Sequence, residues 1–261
     1  MPQFVLLGLA GLLGLAVGSF LNVVIHRVPR DESLIRPGSH CPHCGEAVRN
    51  RHNVPILGWL MLRGRCADCR APISVRYPLV EAGTAALFVA VAAKFGFSWA
   101  LAPYLYLAAI AVALALIDLD VMRLPNAIVL PSYLVAVAML VPAALLGDGP
   151  APIVRGAIAA AVLWVLYRGL AQLGGMGGGD VKLAPLLGFY LGWLSWGTVA
   201  VGAFAAFLLG GAVGTVLMAT RLAGRKSRIP FGPYMLAGAF LAVFAAVPIT
   251  DWYTSLFAPT A

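Results

Sequence analysis

Of the 261 residues in the chain, 61% are apolar and only 11% are charged, and the mean hydropathy is +0.91. Soluble domains carry about 25% charged residues, so this composition argues against a soluble enzyme and a disordered chain. The net charge of +8 could suggest nucleic acid, but in so apolar a chain basic residues more often set membrane topology. Most of the chain is therefore expected to lie in lipid and to bind no nucleic acid.

Windows of about 19 residues indicate eight apolar segments long enough to be transmembrane helices. The predicted fold is an all-α polytopic membrane protein of about eight transmembrane helices, with one small polar insert between the first and second. This divides the chain into a first helix at 1–26, the insert at 27–78 and a helical core at 79–261. The eight segments lie near residues 4–26, 79–96, 99–117, 127–147, 153–173, 183–197, 199–220 and 230–250.

Lysine and arginine are distributed very unequally between the loops. Sixteen of them fall in alternate loops that share one side of the membrane, and only Lys94 and Arg155 fall on the other. By the positive-inside rule the first side is cytoplasmic. Asp118 and Asp120 at the end of the third segment, and Asp180 before the sixth, are then expected at this cytoplasmic face.

All four cysteines lie in the insert, as two CxxC pairs separated by 21 residues. This spacing is typical of a structural Cys₄ zinc site of the zinc-ribbon kind, and the alternative of two disulfides is disfavoured in a reducing cytoplasm. Because a 52-residue segment buries little apolar surface by itself, metal binding would supply folding energy. The predicted ligands are Cys41, Cys44, Cys66 and Cys69, with His40, His43 and His52 as nearby competitors.

Few of the acidic residues adjoin an apolar segment, and an ionisable residue at membrane depth is a functional candidate. Asp118 ends one segment, and a glycine-rich loop at 174–179 delivers Asp180 to the start of another. Two carboxylates that meet can act as base and acid in aspartyl proteolysis. Helix capping and solvation at the membrane interface remain the alternative explanation.

Other hydrolytic mechanisms lack the residues that they need. The chain has no HExxH sequence, no Gly-x-Ser-x-Gly sequence, and no histidine after His52. Zinc, serine and cysteine–histidine proteolysis are therefore disfavoured.

Two further polar features adjoin the insert. Ser19, Asn22 and His26 share one face of the first helix and could line a site or bond to another helix. Glu81 begins the second helix, where it could orient the insert or simply reach the membrane interface.

Six motifs follow one another along nearly the whole chain. They are GSFLNVVIHR at 18–27, the two CxxC pairs, RYPLVE at 76–81, IDLD at 117–120 with LPN at 124–126, GGGDVKL at 177–183 and IPFGPY at 229–234. In this order they resemble the bacterial type IV prepilin peptidases, the leader peptidase/N-methyltransferases of pilus and type II secretion systems.

The resemblance implies an intramembrane aspartyl endopeptidase with Asp118 and Asp180 as the catalytic pair and Asp120 as a supporting acid. Its expected substrates are prepilins or pseudopilins, cleaved at the cytoplasmic face of the inner membrane. The retained cysteine insert implies N-methylation of the new N-terminus by S-adenosylmethionine. One departure is Gly178, a third glycine where the family's Gly-x-Gly-Asp motif often has a bulkier residue.

Two other functions remain open from the residues alone. A proton-coupled transporter with a regulatory zinc module would use carboxylates along a path across the membrane, whereas here they cluster at one side. A noncatalytic assembly scaffold would need neither aspartate.

Overall fold

The structure is a computed structural model that describes residues 2–147, 149–174, 176–222, 224 and 229–257. Within these residues the regular structure is helical, with no β-strand and only two isolated β-bridges in the insert. The helices are α1 (Gln3–Arg27), α2 (Leu57–Met61), α3 (Arg76–Phe95), α4 (Leu101–Val121), α5 (Asn126–Leu146), α6 (Ala151–Gln172), α7 (Gly178–Leu194), α8 (Trp196–Ala219) and α9 (Gly232–Ser255).

A long helix occupies each of the eight predicted apolar segments, which confirms the all-α membrane fold. Among the described residues, seven of these helices are long and apolar enough to cross a membrane. The eighth, α7, has 17 residues and is therefore about 25 Å long, slightly less than a hydrocarbon core. Because α7 begins at Gly178, Asp180 lies inside its first turn and does not precede it as the sequence suggested.

The chain folds into two compact units, Met1–Ala113 and Leu114–Ala261. In the first unit, α1 and α3 run antiparallel and pack closely through small residues. A Cβ atom on Gly14 would lie 2.6 Å from the Cα of Ala85, so this crossing requires a glycine. The polar insert connects these two helices, and α2 lies within it.

In the second unit, α6 and α7 form one antiparallel pair and α8 and α9 form another. A Cβ on Gly188 of α7 would lie 2.7 Å from the carbonyl oxygen of Ala159 on α6, so the backbones are in direct contact, as small residues allow in membranes. Most residues of α7 are buried. The helix therefore forms the core of this unit.

Large apolar side chains on the other helices are exposed along their length. Phe4 is 75% exposed, Leu134 76% and Phe204 68%. In a soluble protein such surfaces would promote aggregation, but in a bilayer they contact lipid tails.

Candidate active site and metal centre

Asp118 lies in the last turn of α4 with only 4% of its surface exposed. Its carboxylate accepts a 3.0 Å hydrogen bond from the backbone N–H of Gly232. Gly232 is the first residue of α9, so the carboxylate sits at the positive end of that helix. A Cβ on residue 232 would lie 2.7 Å from Asp118 Oδ2, so this contact leaves no room for a side chain.

Asp180 is 8% exposed and belongs to the first turn of α7. Its Oδ2 accepts the backbone N–H of Gly177 at 3.2 Å. Gly177 is the N-cap residue and Asp180 the third residue of the helix, so Asp180 caps α7 from within the first turn and is not itself the N-cap. The capping contact does not explain why Asp180 is buried, since most residues that cap helices lie at exposed helix ends.

Leu124 contacts the backbone next to both acids. Its side chain lies 3.1 Å from where a Cβ of Gly179 would be and 3.3 Å from where a Cβ of Gly232 would be. Gly179 precedes Asp180, and Gly232 donates its N–H to Asp118. The fold thus brings the two predicted acids together across 62 positions of sequence.

A second set of contacts holds α7 against α5. The Lys182 ammonium donates to Asn126 Oδ1 at 3.0 Å, and the Tyr133 hydroxyl donates to the carbonyl oxygen of Lys182. The ring of the buried Tyr167 lies 6.3 Å from that of Phe231, the residue before Gly232. Asp120, the predicted supporting acid, is exposed.

Sequence reasoning noted the motifs around Leu124 and Gly232 but assigned them no role in the site, and it missed Tyr133 and Tyr167. The positions of the two motifs in the sequence could have indicated this role. LPN and IPFGPY each lie where a predicted helix begins, on the side of the membrane to which the acids are assigned.

The four cysteine sulfurs of the insert form one cluster, with all of them within 4.8 Å of one another. The Sγ atoms of Cys41 and Cys69 are 3.7 Å apart, and those of Cys44 and Cys66 are 4.0 Å apart. A disulfide requires about 2.0 Å, whereas ligands at 2.3 Å on a tetrahedral zinc ion lie about 3.8 Å apart. The geometry fits a four-coordinate metal, and no histidine belongs to the cluster within the described residues.

The cluster is built from two knuckles of the same design. The N–H of Cys41 donates to Glu46 O, and the N–H of Cys66 donates to Ala71 O. The residue after each second cysteine is left-handed: Gly45 has φ +75° and Arg70 has φ +64°. Hydrogen bonds from the backbone of Cys44 and then of His43 lower the pKa of the Cys41 thiol to about 6.

Comparison with known proteins agrees with this arrangement. The bacterial peptidase A24 N-terminal domain matches residues 12–95, and the type IV leader peptidase family matches residues 105–216. A prepilin leader peptidase/N-methyltransferase of Aeromonas hydrophila is 38% identical, over 94% of this chain and 93% of its own length.

The chain belongs to the type IV leader peptidase family.

Proteins with the same name in other bacteria are similarly related. That of Stutzerimonas stutzeri is 36% identical over 92% of this chain and 91% of its own, and that of Pseudomonas aeruginosa is 34% identical over 93% and 91%. No solved structure matches the chain. The leader peptidase match includes both buried aspartates, and the N-terminal match includes the cysteine cluster.

Proposed function

We propose that this protein is a prepilin leader peptidase/N-methyltransferase. It removes the leader of prepilins or pseudopilins and then methylates the new N-terminus, using S-adenosylmethionine. The observation that carries the peptidase assignment is the burial of Asp118 and Asp180, two carboxylates from separate helices whose adjacent glycines both contact Leu124, in a member of this family.

In this mechanism the two carboxylates share one proton, because like charges this close do not both ionise readily. The ionised aspartate takes a proton from a water molecule, whose oxygen attacks the carbonyl carbon of the scissile amide. The protonated aspartate gives its proton to the carbonyl oxygen. Collapse of the resulting diol breaks the C–N bond, and the leaving nitrogen takes up a proton from the site.

Methylation is the second activity. S-adenosylmethionine would supply a methyl group on a sulfonium sulfur. The neutral amine of the new N-terminus would attack the methyl carbon as the bond from carbon to sulfur breaks. The amine would then lose a proton, and S-adenosylhomocysteine would be released.

Cys41, Cys44, Cys66 and Cys69 would hold a structural zinc ion. All four positions are occupied by protein, so the ion has no open site for substrate. Its contribution is to fold the insert, and the division into 1–26, 27–78 and 79–261 stays part of this proposal.

The proposed location is the bacterial inner membrane, with the active site at the cytoplasmic face. The distribution of basic residues supports this, since sixteen of the eighteen fall on the side to which the two acids are assigned. A prepilin whose basic leader stays in the cytoplasm and whose apolar helix lies in lipid presents its scissile bond at that face.

The test is leader removal from a prepilin by the purified protein in detergent. Asp118→Asn and Asp180→Asn are each expected to lower the rate about a thousandfold or more, since neither carboxylate works without the other. Asp251→Asn, at the exposed far end of α9, is the matched control and should cleave normally.

Normal cleavage by either active-site variant would disprove the catalytic pair. If the purified wild-type protein cleaved no prepilin and the acids instead governed proton flux in vesicles, the transporter alternative would take its place.

A further inference from the structure

The short helix α2 exposes apolar side chains on one face. Leu57, Leu60 and Met61 are 57%, 55% and 65% exposed. Their spacing of i, i+3 and i+4 places them together on one side of the helix. A contiguous apolar patch of this kind on a polar segment is a typical contact surface for a partner or a membrane.

The opposite face of α2 is fixed inside the insert. A Cβ on Gly58 would lie 2.0 Å from the carbonyl oxygen of His52, so the helix backbone packs directly on the preceding turn. The indole N–H of Trp59 donates to the carbonyl oxygen of Ile73 at 3.1 Å. The apolar patch therefore cannot turn inward without breaking these contacts.

A buried acid sets the height of α2 relative to the long helices. The backbone N–H of Ile56, the residue before α2, donates at 2.6 Å to the carboxylate of Glu81, which is 8% exposed. Glu81 lies in α3, about 7.5 Å along the helix axis from its first residue, Arg76. Glu81 therefore orients the insert, one of the two roles that the sequence allowed, and holds α2 beside the first two turns of a membrane-spanning helix.

The surface of α1 and α3 is apolar at the same level. Gly18 of α1 faces Glu81, since a Cβ on this glycine would lie 2.8 Å from the Cα of Glu81. Nearby, Phe20 of α1 is 52% exposed and Leu79 of α3 is 63% exposed. In a bilayer such side chains contact lipid, so the patch on α2 lies at a level of the fold where lipid surrounds the protein.

Arginines flank the patch on both sides in the sequence. Arg51, Arg63 and Arg65 are exposed, and their side chains form no hydrogen bond or ion pair within the described residues. No acidic residue lies between Glu46 and Asp68. An apolar face bordered by arginines is typical of segments that lie in the membrane interface, where the apolar side enters to a depth of about 5–10 Å and the basic groups meet lipid headgroups.

We infer that α2 anchors the insert in the membrane interface, with its apolar patch among lipid acyl chains and the flanking arginines on anionic headgroups. The level at which Glu81 holds α2 matches the depth of such anchors. A second copy of the chain fits the patch poorly, because the arginines around both patches would repel each other. The anchor does not depend on the proposed peptidase and methyltransferase chemistry.

The first experiment uses the full-length, zinc-loaded wild-type protein in nanodiscs that contain phosphatidylglycerol and a phospholipid with a diazirine on its acyl chain. After irradiation, mass spectrometry should find lipid adducts on residues 57–61 at a level similar to that on the exposed Leu134 of α5. The cysteine knuckles at 41–46 and 66–71 are the internal control. They lack large apolar side chains and should carry about tenfold fewer adducts.

The second experiment tests the arginines. When phosphatidylglycerol and phosphatidylcholine carry the diazirine in equal amounts, phosphatidylglycerol adducts on 57–61 should be about fivefold more abundant. Arg63→Gln combined with Arg65→Gln should abolish this preference, whereas Arg70→Gln, at an exposed site in the second knuckle, should preserve it. Bound zinc reports whether each variant folds, and the preference of the wild-type protein decides the point if a variant loses its zinc.

The anchor would be overturned if residues 57–61 carried no more adducts than the knuckles. The same result together with a dimer in native mass spectrometry would assign the patch to a second copy of the chain. Equal adducts from the two lipids in the wild-type protein would refute the role of the arginines. None of these outcomes bears on leader cleavage or methylation, which the two experiments do not measure.

Discussion

Three consecutive glycines precede Asp180, and they meet very different surroundings. A Cβ on Gly178 would contact nothing within 4 Å, whereas a Cβ on Gly179 would lie 3.1 Å from Leu124 Cβ. The departure from the family's motif at Gly178 therefore falls at the position that has room for a side chain. The neighbouring glycine is required by close packing.

This contrast predicts opposite outcomes for two matched substitutions. Gly179→Ala should lower the rate of leader cleavage about tenfold, because the clash with Leu124 shifts the first turn of α7, which carries Asp180. Gly178→Ala should cleave at nearly the wild-type rate and stabilise the first turn of α7 by reducing unfolded-chain entropy. Equal rates for the two variants would contradict the role of Leu124.

Gly232 positions the other aspartate. Because an added methyl group would lie 2.7 Å from Asp118 Oδ2, Gly232→Ala should displace the carboxylate and reduce kcat about a hundredfold. Gly211→Ala on α8, where a Cβ meets nothing within 4 Å, is the control. A Gly232→Ala variant with unchanged kcat would show that the hydrogen bond to Asp118 has no part in catalysis.

Helix α7 is the central, most buried helix of the second unit. It is buried along most of its length and is capped at both ends by side chains. Asp180 caps its N-terminus, and Arg155 of α6 donates to the carbonyl oxygens of Gly192, Trp193 and Leu194 at its C-terminus, at 2.5, 2.6 and 2.8 Å. These side chains provide hydrogen-bond partners for terminal backbone N–H and C=O groups, which would otherwise be unsatisfied at a helix end in an apolar environment.

Loss of this C-terminal cap should destabilise the protein without touching the reacting groups. Arg155→Ala is expected to lower the free energy of unfolding by about 2 kcal/mol or more, since several carbonyls lose a charged donor. Arg155→Lys should fall between this variant and wild type, because an ammonium cannot reproduce the planar arrangement of donors. Denaturant unfolding in detergent measures both.

Arg168→Ala, at the exposed opposite end of α6, provides the baseline for this comparison. If Arg155→Ala and Arg168→Ala unfold at the same denaturant concentration, the cap contributes nothing measurable.

The molecule as a whole combines a helical body that lipid stabilises with an insert that has little core of its own. Most residues between 31 and 55 are exposed, so metal binding is the main source of order available to this segment. Chelation should therefore affect the insert and spare the helices.

Treatment with a strong chelator is expected to release one metal ion per chain and to open the arginine-rich segment 27–78 to trypsin. The helical circular dichroism signal should change little. Cys44→Ser should show the same cleavage pattern before chelation, because three ligands hold zinc less tightly than four. Protection of 27–78 in the metal-free protein would mean that the insert folds without the ion.

Much of this architecture follows from sequence alone. Eight apolar segments, two CxxC pairs and the asymmetry of basic residues are local properties, and lipid requires each spanning segment to satisfy its own backbone hydrogen bonds. The positions of the helices and the cysteine cluster could therefore be predicted, whereas the pairing of Asp118 with Asp180 as catalytic acids came from the resemblance of the motifs to a known family.

Only the tertiary structure decided which residues support those acids and what lies beneath the insert. Gly232 meets Asp118 from 114 positions away, and the Glu81 contact with Ile56 spans 25. In a membrane the faces that contact lipid and the faces that contact other helices are equally apolar, so hydrophobic pattern does not mark the packing surface. Such contacts arise from helix packing, which no local stretch of residues encodes.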